Sequence, residues 1–511
     1  RRVGLQTRVE RRCVANNAGG PAYSMTLRDS KHAAARQTLA LCRASSPLAL
    51  SNRTRRLRHR RDGGSGAGKS VDARAVHPTH FRGSDAVATR PLDAMSLTDL
   101  PRPRLATLFN LGGRVVGPAV NRFITLNPDE LVDAACRRTG LDDFGDTEFR
   151  PALRELLASC EREADLNLVG RLAARSDTAR ILRNRLRLQS DRKRHPEIAS
   201  EVIRRPLVVV GLPRSGTTLL HRLLSQDPAN RVPLTWESML PSPPPEQSTY
   251  RTDRRIEFAE RQVGWFLRMA PGFQRIHPVG ARLAEECVML MSHSFASYQF
   301  DTMYRIPSYQ AWLERQDLHH AYRIHHQLLQ QLQWHCPGDR WVLKAPNHLF
   351  ALPALAATYP DLGLIWTHRS PAAVIPSLSS LYTELRRVFS DSVEARRTGP
   401  EVTRVWADGL ARGLEALDQG VIPPGRVCHV QYSDLAADPV GAVRRLYAHF
   451  DLPFAPPFEQ RLRAFLKEFP RGRFGRHEYS LAEFGLDEGE ERERYQSYSD
   501  RFGIPWKADS R

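Results

Sequence analysis

Four short apolar runs punctuate residues 201–511: Leu207–Val210, Trp341–Leu343, Leu364–Trp366 and Val427–Val430. Each is rich in β-branched or aromatic residues and bounded by polar sequence, the pattern of a strand buried on both faces. Stretches with helical spacing separate them, so βαβ units and a parallel sheet are expected over residues 201–511. Residues 95–200 read differently. Asn127 precedes Pro128, Asp129 and Glu130, an N-cap followed by a first-turn proline and two acids that complement the helix dipole. Phe149–Glu163 repeats apolar positions at Leu153, Leu156, Leu157 and Cys160, and Leu182–Leu188 belongs to a further basic amphipathic helix. The expectation is a helical subdomain that packs on, or lids, an α/β domain. No residue set in 95–200 suggests chemistry. Pro241–Pro245 reads as a loop. His319, His320, His325 and His326 share a helix without a carboxylate or Cys partner at ligand spacing, so a solvated face is expected there, not a metal site.

Charge changes the picture at the N-terminus. The 511 residues carry a formal charge of +19. Residues 1–94 hold 19 Lys+Arg against 6 Asp+Glu, so two thirds of the excess lies in under a fifth of the chain. This Arg-rich segment has no sustained period and reads as disordered. It fits a transit peptide, a nucleic-acid arm, or sequence upstream of a start at Met95; the last is favoured. Within it, Gly63–Ser70 matches the pattern G-x-x-x-x-G-K-[ST] but has neither a strand before it nor a helix after it, so it is read as a linker. The 7 Cys are scattered without a C-x-x-C pair, which suits a reducing, cytoplasmic setting. No run approaches the roughly 20 apolar residues of a membrane helix.

The segment Leu207-Val-Val-Val-Gly211-Leu-Pro-Arg214-Ser215-Gly216-Thr217-Thr218 does have both flanking elements. A strand ends, a tight loop follows, and a helix opens with Arg214 as a fixed cation and three hydroxyls nearby. This is an anion site by geometry and dipole. The loop lacks the Lys of a nucleotide triphosphatase.

Pro-Arg-Ser-Gly-Thr-Thr after a hydrophobic strand resembles the 5′-phosphosulfate loop of sulfotransferases. Arg in place of Lys is similar to the tyrosyl-protein sulfotransferases and a broad bacterial group. The resemblance implies 3′-phosphoadenosine-5′-phosphosulfate (PAPS) as donor, no metal, contacts from Arg214, Ser215, Gly216, Thr217 and Thr218, and a catalytic role for Arg214 in stabilising the charge of the transferring group. Arg369 and Ser377, eight residues apart on strand–loop–helix, match the family's 3′-phosphate pair. Trp341-Val-Leu-Lys344-Ala-Pro-Asn-His348-Leu matches a strand-end motif whose Lys stabilises charge on the bridging oxygen or transferring group. Lys344 is one of only 6 Lys, beside 69 Arg. Tyr432 in Val430-Gln-Tyr432-Ser-Asp434-Leu corresponds to a residue near the donor nucleotide. Arg473 and Arg476, in Arg471–Ser480, resemble the basic 3′-phosphate loop. Glu237 is expected as general base, ahead of Glu286, His348 and His293. The implied activity is sulfuryl transfer to a hydroxyl on a small molecule, glycan or peptide, with no nucleic-acid or membrane partner. A P-loop kinase or NTPase, and a binder of anionic polymers through the basic tail, are the competing readings.

Overall fold

The computed structural model describes residues 124–469 and 479–507. The tail 1–94 with its Gly63–Ser70 match, and Arg473 and Arg476, lie outside the described residues.

Three helices come first: α1 (Pro128–Thr139), α2 (Phe149–Glu163) and α3 (Leu168–Arg194). Asn127 caps α1 as expected, its side chain accepting from the amides of Asp129 and Glu130. The basic stretch around Leu182–Leu188 proves to be part of α3, 27 residues long and buried on more than one side. Arg171 and Arg185 are buried there, and each has a partner: Arg171 pairs with Glu161, and Arg185 with Asp146 and the His293 carbonyl. Pairing of this kind is what makes a buried guanidinium tolerable.

The α/β part follows as β1 (Leu207–Gly211), α4 (Thr217–Leu224), β2 (Asn230–Arg231), α5 (Thr235–Met239), α6 (Arg254–Met269), α7 (His319–Gln333), β3 (Arg340–Lys344), β4 (Gly363–His368), α8 (Pro371–Phe389), α9 (Ala395–Asp418), β5 (Val427–Gln431), α10 (Tyr432–Ala437), α11 (Pro439–His449) and α12 (Pro456–Glu468), with shorter helical turns between. The five strands form one parallel sheet in the order β2-β3-β1-β4-β5. Alternation along β1 divides two cores. Val208 and Val210 join α1–α3 and α7–α9 in one, while Leu207 and Val209 join α4, α11 and α12 in the other. The N-terminal helices therefore share a continuous core with one face of the sheet. Parallel strands put all their carboxyl ends on one edge, where ligands of open α/β sheets bind.

One expectation fails. The α7 histidines are not a solvated face: His325 is fully buried with Nδ1 2.7 Å from the Tyr359 hydroxyl, and His320 lies 3.2 Å from Asp146. Four histidines spaced over two helical turns necessarily point in several directions, and α7 is packed on more than one side.

Candidate active site

The β1–α4 loop sits at the centre of the carboxyl edge. Its turn closes with the Ser215 amide donating to the Leu212 carbonyl at 3.2 Å. Pro213 and Arg214 are the middle residues, and Arg214 has φ 69°, the left-handed conformation that such a turn needs at its third position. A non-glycine residue there is strained, and the surroundings hold it in place. Arg369 donates to the Arg214 carbonyl, and Arg214 Nε donates to Ser377 Oγ at 3.2 Å. Gly216 follows with φ 94° as the cap of α4; a Cβ there would lie 2.9 Å from Tyr432. The glycine is thus required by conformation and by crowding.

Ser215 does not offer its hydroxyl to a ligand. It is buried, donating to the Leu212 carbonyl and lying 2.6 Å from Thr367 Oγ1 on β4. Its part is to tie the loop to the neighbouring strand. Thr217 is buried at the start of α4, and Thr218 is half-buried.

Arg214, Arg369, Ser377 and Tyr432 gather at one end of the loop. The Arg369 guanidinium lies over the Tyr432 ring, 4.2 Å from its centroid. Burial, and then the charge of Arg369, lower the Arg214 pKa. Two guanidinium groups that act on each other in this way can share an anion. Arg369 follows β4, Ser377 lies on α8 and Tyr432 opens α10, so three adjacent strand ends build this set.

The other end is built on β3. Register pairs Val209 of β1 with Lys344, whose side chain is 1% exposed. Lys344 Nζ donates to Thr218 Oγ1 at 3.3 Å and forms an ion pair with Glu286. Burial raises the Glu286 pKa, but Lys344 and then His277 outweigh it, and the net shift is downward. Burial, opposed by Glu286 and reinforced by Lys344, Arg214 and Arg222, brings His277 down to about 4, so its ring is neutral at pH 7.

Glu237 is occupied elsewhere. It is fully buried, with Oε1 2.8 Å from Arg231 Nη2 and Oε2 accepting from the Leu234 amide at 3.0 Å. Both oxygens are committed, which does not suit the general-base role expected of it. The segment it anchors has a different use: the Thr235 and Trp236 amides donate to Leu283 and Ala281, and the Glu285 amide to Pro233. Glu237 thereby braces the strand-like stretch that presents Glu286. His293 is buried in the helical layer, hydrogen-bonded to Asn184 and Leu290, and burial takes its pKa to about 3. His348 is buried against the Tyr322 hydroxyl at 2.7 Å, and burial likewise takes it to about 3.

His277 escaped the sequence reading. It lies in a Pro/Gly-containing loop with no periodic signal, and only tertiary structure brings it to Glu286.

Comparison with known proteins agrees with this architecture. A family model described as "Sulfotransferase family" matches residues 206–456. Sulfotransferase STF1 from Mycobacterium tuberculosis H37Rv is 34% identical, with a TM-score of 0.65, covering 73% of this chain and 98% of that one. STF9 from Mycobacterium avium is 28% identical with a TM-score of 0.69, covering 75% of this chain and 99% of that one. The omega-hydroxy-beta-dihydromenaquinone-9 sulfotransferase Stf3 of Mycobacterium bovis is 26% identical over 271 residues, 52% of this chain and 67% of the relative. With a parallel sheet and a structural match at 34% identity that spans 98% of STF1, the chain belongs to the sulfotransferase family.

Proposed function

We propose that this enzyme transfers a sulfuryl group from PAPS to an alcohol acceptor by in-line displacement. The observation that carries the reading is the β1–α4 loop, flanked by Lys344 at the end of one neighbouring strand and Arg369 just after the end of the other. When bound, PAPS supplies the sulfuryl group and a 3′-phosphate, two anions at separate points. Arg369, Ser377 and Arg214 hold the 3′-phosphate, with Tyr432 setting the angle of Arg369. Thr217, Thr218 and Lys344 face the sulfuryl end, where the start of α4 adds partial positive charge. Positioning and electrostatic stabilisation then do most of the catalysis.

Glu286 takes the acceptor proton. While paired with Lys344 it is a weak base, and Lys344 turning toward an incoming anion restores its basicity. Glu237 acts through the segment that holds Glu286. The acceptor class is an apolar alcohol. The Phe273 ring lies 5.9 Å from that of His277, and the Stf3 relative is named for a hydroxylated menaquinone derivative.

The test is transfer of label from PAPS to a panel of isoprenoid alcohols, sterols, sugars and tyrosyl peptides, with thermal shifts by 3′-phosphoadenosine-5′-phosphate (PAP) and ATP alongside. Labelled apolar alcohols and a shift by PAP are expected. A shift by ATP alone, with no label transferred, contradicts the reading.

A further inference from the structure

We propose that α6 is an interfacial helix that seats the enzyme on an anionic lipid surface beside the acceptor end of the site. Its inner face is conventional, with Ile256 and Ala259 buried against Trp236 and Ala281. Its outer face is not. Trp265 is 44% exposed, one of two large hydrophobic residues exposed among the described residues. Phe258, seven residues before Trp265, is half-buried and lies on the same side of the helix, whereas Met269, four residues after it, packs against the main core. Arg254, Arg261 and Arg268 recur every seven residues, so they form a row beside Phe258 and Trp265, and all three are exposed. Glu257 engages Arg261 at 2.7 Å. Over Arg251–Arg282 the sequence has seven Arg against three Asp or Glu.

An exposed tryptophan with a half-buried phenylalanine on the same side, edged by arginines, fits a helix lying in a membrane interface. The ring of Trp is suited to that boundary, with its apolar body and polar N–H. Charge complementarity favours an anionic lipid surface over a neutral partner. The position has a use as well. Phe266 meets Phe273 edge-on at 5.0 Å, Phe273 lies 5.9 Å from the His277 ring, and His277 acts on Glu286. The helix that touches lipid is therefore joined through two aromatic contacts to the acceptor end. No helix among the described residues is long and apolar enough to cross a membrane, and a surface helix does not need to be. The inference deepens the sulfotransferase reading by placing an apolar acceptor in the bilayer. It rests on that reading for its purpose, not for the binding itself.

Co-sedimentation of the full chain with vesicles tests it, comparing phosphatidylcholine alone with equal parts phosphatidylcholine and phosphatidylglycerol, at low and high salt. The wild type is expected to partition onto the anionic vesicles. Trp265→Glu is expected to lower the partition coefficient about tenfold or more, since it withdraws a large apolar side chain. Arg268→Glu is expected to weaken binding to anionic vesicles only. Equal partitioning of wild type and Trp265→Glu overturns the proposal, because binding then comes from elsewhere, such as the basic N-terminal segment. A fall in oligomeric mass in Trp265→Glu, measured by sedimentation velocity, also overturns it by assigning this face to a second copy of the chain. PAP calorimetry on the same samples separates the two readings. Vesicle binding without PAP binding defeats the donor assignment alone, and PAP binding without vesicle binding defeats the lipid surface alone. Unchanged PAP affinity in both variants also establishes that they are folded.

Discussion

The two ends of the β1–α4 loop are built by different rules. At the Arg369 end, every group stands at the end of a strand or in the first turns of the helix after it, and the sheet register fixes their separations. At the Lys344 end, one residue comes from a strand, while Glu286 and His277 come from an irregular stretch held in place by a buried buttress at Glu237 and Arg231. A donor common to a family can be held by regular scaffold. The side proposed to meet the acceptor is carried on connecting segments, where variation costs the fold less.

Four substitutions or measurements sharpen that contrast. The largest effect is expected from Glu237→Gln. It removes the charge that compensates buried Arg231, at a cost of about 3 kcal/mol of stability, read as a lower urea midpoint. PAP affinity should stay within a few-fold; loss of PAP binding in folded protein would place Glu237 at the donor. Next is Arg369→Ala, which removes charge-assisted hydrogen bonds from the donor end. It should weaken PAP about 10- to 100-fold, measured by calorimetry, with thermal stability little changed. Gly216→Ala follows. Its φ of 94° and the 2.9 Å approach to Tyr432 predict a loss of roughly 1–2 kcal/mol in stability and a several-fold loss of PAP affinity. The smallest effect is in the pH profile. The Glu286 carboxyl is held below its ordinary 4.5, so it stays ionised as pH falls to that value, and the acid limb of kcat/KM should lie below 4.5. Any stability linked to this group is present above the ordinary value and is lost only as pH falls through the lowered one. The acid limb of kcat should lie higher, because Lys344 is then drawn to the donor. An acid limb of kcat/KM near 6 would point to a histidine instead.

The same contrast explains what the chain made legible. The strands and the loop are legible as apolar runs with their flanking residues, whereas Arg369, Ser377, Lys344 and Tyr432 come from the family resemblance; each stands at or after a strand end. The left-handed Arg214 and the inward Ser215 hydroxyl escaped notice, because a turn's dihedral angles and a hydroxyl's partner depend on Thr367 and Arg369, both more than a hundred residues away. The partners of Glu237 are hidden from the sequence for a related reason. Proximity in sequence to the loop says nothing of Arg231, which sits at the edge strand and takes the carboxylate. The α7 histidines were read from one helix face, whereas their burial is set by the layers that pack around it.

The central claim is that Lys344 and Glu286 serve the chemical step while the Arg369 end serves donor binding. Single-turnover transfer by Glu286→Gln, with PAP affinity measured on the same preparation, tests it most directly. The account predicts a rate lower by about 10²- to 10⁴-fold with PAP affinity within a few-fold of wild type. A rate within a few-fold of wild type would contradict it and move the base to another group.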